Sequence, residues 1–94
     1  MRRNAKKDAN QDDIVSGLRA IGATVAITHM LGDGFVDIVV GFRGFNYLLE
    51  IKDGSKPPSR RKLTPDEQTF HEGWNGQIDI VESVDDAYRA IGAI

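Results

Sequence analysis

The sequence predicts an α/β domain whose helices and strands follow the order αβββαβα. Apolar residues recur at helical spacing near the N-terminus, and three short runs rich in β-branched residues follow them. Two helix-start signals, at Thr64 and Ser83, flank a fourth such run. The 94 residues correspond to one domain, residues 1–94, and a domain of this size has only a modest core.

The first half of the chain predicts one helix and three strands. Asn10 is the expected N-cap, with Asp13 three residues on as a shorter relative of the capping box, and Gly22 ends the helix. The predicted strands are residues 23–28, 36–40 and 46–52. The turn at residues 41–44 joins the second strand to the third, which predicts an antiparallel hairpin.

The second half begins with a loop, residues 53–63, that is rich in Gly, Pro, Ser and basic residues. Thr64 then caps a helix, and Glu67 completes a capping box. Residues 77–81 are the fourth predicted strand, and Ser83 caps the last helix.

Charged residues are distributed unevenly, although the net charge is only −2. Residues 1–62 carry eleven basic and seven acidic side chains, a net of +4, whereas residues 63–94 carry one and seven, a net of −6. Two basic clusters are candidates for binding DNA phosphates: Arg2, Arg3, Lys6 and Lys7, and Lys56, Arg60, Arg61 and Lys62. Two solvated charge runs would have the same pattern. We expect residues 1–8 to form a flexible basic arm.

Several classes of protein are disfavoured by composition. The chain has no cysteine, which excludes disulfides and thiolate zinc sites. No apolar run approaches the roughly 18 residues that a membrane span needs, and no apolar segment follows the basic N-terminus as in a secretory signal. We therefore expect a cytoplasmic protein without membrane contact.

The third predicted strand carries the chemistry. Side chains alternate along a strand, so Glu50 and Lys52 share one face while Leu49 and Ile51 share the other. If the hairpin turn is centred between residues 43 and 44, paired residue numbers add to 87, and Asp37 lies opposite Glu50. Directly opposed side chains of an antiparallel pair point to the same face.

Two carboxylates at this spacing repel each other unless a cation lies between them. Carboxylate oxygens suit Mg²⁺, and Lys52 would stand beside a metal-bound water, which it could orient or deprotonate, or it could stabilise transition-state charge. These are the groups that phosphodiester hydrolysis requires. The alternative is an exposed strand face on which Glu50 and Lys52 form an ion pair. Asp37 argues against it, because a carboxylate that interrupts an apolar strand is costly unless it is used.

The pattern resembles the PD-(D/E)xK nuclease superfamily and, within it, the stand-alone VRR-NUC domains of phages and bacteria. The matching segments cover nearly the whole chain: residues 10–15, 34–37, 47–54 and 63–68. The resemblance implies a restriction-endonuclease-like αβββαβ core with a mixed four-stranded sheet and a C-terminal helix. Val36 stands where the family has proline, which leaves the carboxylate of Asp37 in place.

The resemblance also implies an activity and a site. The activity would be Mg²⁺-dependent, structure-selective DNA cleavage similar to that of Holliday-junction resolvases, with Mn²⁺ able to substitute. Asp37, Glu50 and the backbone carbonyl of Ile51 would bind the metal, and Lys52 would act on the water. Two further residues would assist: Gln68 from the second helix, and Asp13, which is one methylene shorter than the family's usual Glu and would act indirectly.

The same resemblance implies a homodimer. Candidate interface residues are Phe42, Phe45, Phe70 and Trp74, although core packing is an equally good interpretation of the last two. His29 is interpreted as a loop residue and His71 as a helix-surface or interface residue, because two histidines without cysteines are poor evidence for zinc. Two other functions stay open: a non-catalytic DNA-binding module and an interaction subunit.

Overall fold

Three helices and four strands form the structure, a computed structural model that describes residues 8–94. The helices are α1 (Gln11–Ala20), α2 (Pro65–Gly73) and α3 (Val84–Ala90). The strands are β1 (Thr24–Ile27), β2 (Ile38–Phe42), β3 (Phe45–Ile51) and β4 (Asp79–Val81). They confirm the predicted order and the mixed α/β class. The arm residues 1–7 lie outside the described part of the chain.

The four strands form one mixed sheet in the order β1-β2-β3-β4. The first three are an antiparallel meander, and β4 pairs with β3 in parallel. Arg43 and Gly44 both have positive φ, 52° and 85°, as a two-residue turn between twisted strands requires. This turn sets the register that pairs Ile38 with Leu49 and Phe42 with Phe45, so that paired numbers add to 87 as predicted.

The second strand begins two residues later than predicted, at Ile38. Asp37 precedes the strand because its side chain takes the place of a backbone partner: Asp37 Oδ2 accepts a hydrogen bond from the Ile51 amide at 2.8 Å. The Asp37 carbonyl accepts from the Thr28 amide, also at 2.8 Å. Asp37 is therefore held beside the end of β3 by both its backbone and its carboxylate.

The hydrophobic core lies between one face of the sheet and the helices α1 and α3. Leu18 of α1, Leu49 of β3 and Ala87 of α3 are all fully buried there. The two helices are close together, because the Tyr88 hydroxyl donates to the Gly17 carbonyl at 2.8 Å. Helix α2 lies outside this core, and its Glu67 contacts Lys52 on the other face of the sheet. No helix within residues 8–94 has the length and apolarity needed to cross a membrane.

The helix starts show one prediction that was wrong. Asn10 precedes α1, but its side chain makes no capping hydrogen bond, so the proposed box with Asp13 does not form. Asn10 Nδ2 instead donates to the carbonyls of Lys52 and Glu82, both at 3.1 Å, and ties the start of α1 to the ends of β3 and β4. At α2 the predicted box between Thr64 and Glu67 is present.

Candidate active site

The end of β3 buries two charged side chains on the face opposite the core. Glu50 is 1% exposed and Lys52 is 9% exposed. The alternative of an exposed, charged strand face is therefore inconsistent with the structure. Burial of an ionised carboxylate and an ammonium is costly unless each has a partner, so the surroundings of both groups decide what this place can do.

Glu50 lies in surroundings that disfavour its ionised form. Burial, together with the neighbouring carboxyl of Asp37 and then that of Glu67, raises the pKa of Glu50 to about 10. Its Oε1 is buried and has no hydrogen-bond partner among residues 8–94. A carboxylate pocket with an unused buried oxygen is well suited to a hard cation, which would remove the repulsion that raises this pKa.

Lys52 is paired with Glu67 of α2, whereas the alternative interpretation had paired it with Glu50. Lys52 Nζ donates to Glu67 Oε1 at 2.7 Å. Burial on its own would lower the pKa of Lys52, but the hydrogen bond and charge of Glu67 outweigh it, so the net pKa is raised. Glu67 Oε1 also accepts from the Thr64 amide at 2.9 Å, so the capping box of α2 holds the carboxylate that orients Lys52.

His71 belongs to the same site, which corrects the interpretation of it as a surface or interface residue. Its Nε2 is 3.8 Å from Glu50 Oε1, and neither atom has a hydrogen-bond partner in the described chain. Burial lowers the pKa of His71; the charge of Glu67 opposes this and that of Lys52 adds to it. The signal that sequence reasoning missed is the spacing: Glu67 and His71 are four residues apart and share one face of α2.

Two residues assigned to the site by resemblance are not brought to it. Gln68 is exposed and donates to Glu72 Oε2 at 2.6 Å, so Glu67 makes the contact from α2 that was expected of Gln68. Asp13 is exposed and lines an open cavity with Asp53, Glu82 and Asp86. It is not among the charges that act on Glu50.

Two polar residues before and at the start of α1 are partly or fully buried, and the first of them interacts with the site. The pKa of Asp8 is raised by burial and by the charge of Asp37, while Lys52 and Lys56 oppose the rise, so Asp8 lies within electrostatic reach of the site. Gln11 is buried, its Nε2 is 3.3 Å from His29 Nδ1, and its Oε1 has no partner in residues 8–94. The resemblance assigned Asp13 to the first-helix position of the site, and Gln11 lies two residues before it.

The basic loop, residues 53–63, divides its four cations into two pairs. Arg61 bonds both carboxylate oxygens of Glu82, at 3.2 and 3.3 Å, and Lys56 lies 3.8 Å from Asp8. These two cations hold the loop against the domain. Arg60 and Lys62 are exposed and can meet a ligand. The N-terminal basic cluster, Arg2 to Lys7, lies outside the described residues.

The aromatic candidates for a dimer interface differ in exposure. Phe42 packs against the core, with the Arg43 guanidinium 4.7 Å from its ring centre, and Phe45 is exposed. Phe70 contacts Phe35 edge to face and stacks on the exposed Trp74. Phe45 and Trp74 are therefore the members of the predicted set that present apolar area.

The donor groups fit Mg²⁺ better than zinc. Within residues 8–94, no three side chains of His, Cys, Asp or Glu converge in a way that could hold a metal ion by themselves. Mg²⁺ commonly takes one or two carboxylates and keeps several waters, so it does not need a protein cage. Asp37, Glu50 and the Ile51 peptide, whose amide contacts Asp37, supply such a partial set of oxygen ligands.

Comparison of the chain with protein-family models, with curated proteins and with solved structures yields no match.

Proposed function

We propose that this protein is a Mg²⁺-dependent DNA endonuclease of the PD-(D/E)xK type that acts on branched DNA in the manner of a Holliday-junction resolvase. One observation carries the proposal: Glu50 and Lys52 are buried side by side at the end of β3, next to Asp37, around a carboxylate oxygen that has no hydrogen-bond partner among residues 8–94. A structural ion pair does not account for this arrangement, since the Lys52 ammonium bonds Glu67 and no hydrogen bond from residues 8–94 reaches Glu50 Oε1.

Asp37, Glu50 and the carbonyl of Ile51 would hold the metal, and Mn²⁺ would substitute for Mg²⁺. When bound, the metal supplies an activated water and stabilises charge on the phosphate. The Ile51 amide fixes the orientation of Asp37. Glu67 fixes that of Lys52, whose ammonium can then orient a water or stabilise negative charge that develops on the phosphate.

The partners follow from the same surface. Arg60 and Lys62 are exposed in the loop that follows β3 and would contact phosphates near the cleaved bond. Phe45 and Trp74 would contribute to a homodimer, in which two sites could cut two related strands of a junction. The cytoplasm of a bacterial cell supplies both the DNA and the Mg²⁺ that this activity needs.

The test uses purified protein with an end-labelled four-way junction and a duplex of the same sequence. We expect cleavage of the junction with Mg²⁺ or Mn²⁺ and none with EDTA. Binding without cleavage in every metal would identify a non-catalytic DNA-binding module. Neither binding nor cleavage would favour an interaction subunit and contradict the proposal.

A further inference from the structure

The loop between β1 and β2, residues 28–37, presents two large apolar side chains to solvent. Its first residues form one 3₁₀ turn, His29–Leu31. Met30 is 50% exposed and Leu31 is 68% exposed, and they are adjacent. Single exposed apolar residues are ordinary on protein surfaces. Here the exposed pair occupies the tip of a loop whose last residue is the candidate metal ligand Asp37.

Backbone contacts hold both ends of this loop together. The Thr28 amide donates to the Asp37 carbonyl and the Thr28 hydroxyl donates to the Val36 carbonyl, each at 2.8 Å. The Leu31 amide donates to the Thr28 carbonyl at 3.0 Å and closes the turn. The two ends of the loop are therefore hydrogen-bonded to each other, and residues 30 and 31 lie between them.

Two helices clamp the same loop from either side. Gln11 of α1 contacts His29 at the start of the turn. On the other side, Gly34 lies so close to α2 that a Cβ atom there would collide with the Asp66 carbonyl, and its φ of 79° also favours glycine. The loop is thus held at both ends, and residues 8–94 leave at least half of each apolar side chain at its tip exposed.

The tip is joined to the candidate site by a short stretch of chain. Consecutive Cα atoms are about 3.8 Å apart, so the Cα atoms of Met30 and Leu31 are at most about 8 and 11 Å from that of Thr28. The Thr28 amide donates a hydrogen bond to the Asp37 carbonyl. A nucleic-acid groove is about 6 to 12 Å wide, so side chains within this distance of the site are at the scale needed to contact bases beside a phosphate held there.

We propose that Met30 and Leu31 form an apolar wedge that packs against an unstacked DNA base beside the cleaved phosphate. The inference rests on the proposed nuclease function and explains how it would select branched DNA. Apolar side chains inserted at a base step must separate two stacked bases in intact duplex, whereas a branch point interrupts the stack, so that separation of the bases there costs less. The wedge would therefore bind at a branch with a smaller cost of unstacking than in duplex.

The test measures binding with Ca²⁺ in place of Mg²⁺, using a junction that carries the fluorescent base 2-aminopurine at the branch, and the matching duplex. Unstacking of this base raises its fluorescence. We expect wild-type protein to raise the signal at the junction. The double variant Met30→Ser/Leu31→Ser should lose this rise and bind the junction on the order of tenfold more weakly, with duplex binding unchanged.

The matched control is Ile94→Ser, because Ile94 is 67% exposed, as Leu31 is, and lies at the other end of the chain. It should behave like the wild type. If the double variant keeps both the fluorescence rise and the preference for junctions, the wedge is refuted while the nuclease stands. If instead it converts a dimer to a monomer in sedimentation, the tip contacts a second copy and the proposal is wrong. A wild type that neither binds nor cuts DNA would overturn the proposed function itself, and the wedge with it.

Discussion

Alternate residues of β3 are buried on both faces of the sheet, but the two faces bury different chemistry. Leu49 and Ile51 are 0% and 1% exposed against α1 and α3. Glu50 and Lys52 are 1% and 9% exposed and lie beside α2 and Asp37. Burial on the first face stabilises the fold through removal of apolar area from water. Burial on the second face costs stability, since it desolvates charge. The comparison separates a structural face from a functional one within a single strand.

The largest expected effect is on the functional face. Lys52→Ala removes the ammonium that lies beside Glu50 at the end of β3, so we expect cleavage of junction DNA to fall by about a hundredfold or more. A gel assay with Mg²⁺ measures the rate, and circular dichroism checks the fold. Arg89→Ala is the control, because Arg89 is exposed on α3 and pairs only with Asp86 among residues 8–94. Full activity of the Lys52 variant would show that this face of β3 is not part of the active site.

On the structural face, Leu49→Ala should have the opposite profile. The side chain is fully buried in the core, and truncation of such a leucine costs about 2–5 kcal/mol of the free energy of unfolding. Urea denaturation measures the loss. The fraction that stays folded at low temperature should keep its cleavage rate. A variant that is stable but inactive would show that the two faces are not separable.

Glu50→Gln tests the claim that the functional face costs stability. The pKa of Glu50 is about 10 in the folded protein, above its ordinary value of 4.5. As the pH rises past 4.5 the unfolded chain loses this proton and the folded protein keeps it, so stability falls progressively up to about pH 10. The amide cannot ionise, and in EDTA at pH 8 we expect it to raise the Tm by about 4–8 °C, corresponding to about 1 kcal/mol.

Thermal melts at several pH values measure this effect. The gain should shrink as the pH falls to 4.5 and below, because the Glu50 carboxyl of the unfolded chain then also keeps its proton. The control is Glu72→Gln, because Glu72 is an exposed carboxylate on the same helix as His71. This variant should raise the Tm little at any pH. Mg²⁺ should reverse the ranking, because it stabilises only the protein that binds it. A lower Tm for Glu50→Gln in EDTA would mean that Glu50 has a stabilising partner, and the comparison of the two faces would fail.

The smallest expected effect lies beyond the strand, in the basic loop that follows it. Arg60→Ala/Lys62→Ala should lower the slope of log affinity against log salt by roughly two units, equally for all DNA sequences. Arg61→Ala should change the slope less and lower the Tm, since Arg61 bonds Glu82. Titrations at several salt concentrations, with Arg89→Ala as control, measure the difference. Equal slopes for the exposed pair and the control would indicate a loop that is merely solvated.

The sequence by itself determined the order of the elements and the register of the hairpin. Both depend on local chemistry: the capping box of Thr64 and Glu67, the period-two alternation of β3, and a two-residue turn at Arg43 and Gly44. The same local rules placed Glu50 and Lys52 on one face and brought Asp37 to that face. These inferences succeeded because each involves residues that are close in sequence or joined by one short turn.

Only the tertiary structure decided which distant groups complete the site. Sequence reasoning chose Gln68 and Asp13, whereas the fold brings Glu67 and His71 against the end of β3 and Gln11 against His29. The choice depends on how helices α1 and α2 are rotated about their axes, and a helix of ten residues carries too few apolar positions to define that rotation within one residue. The rotation is set by packing on the sheet, which no local pattern contains.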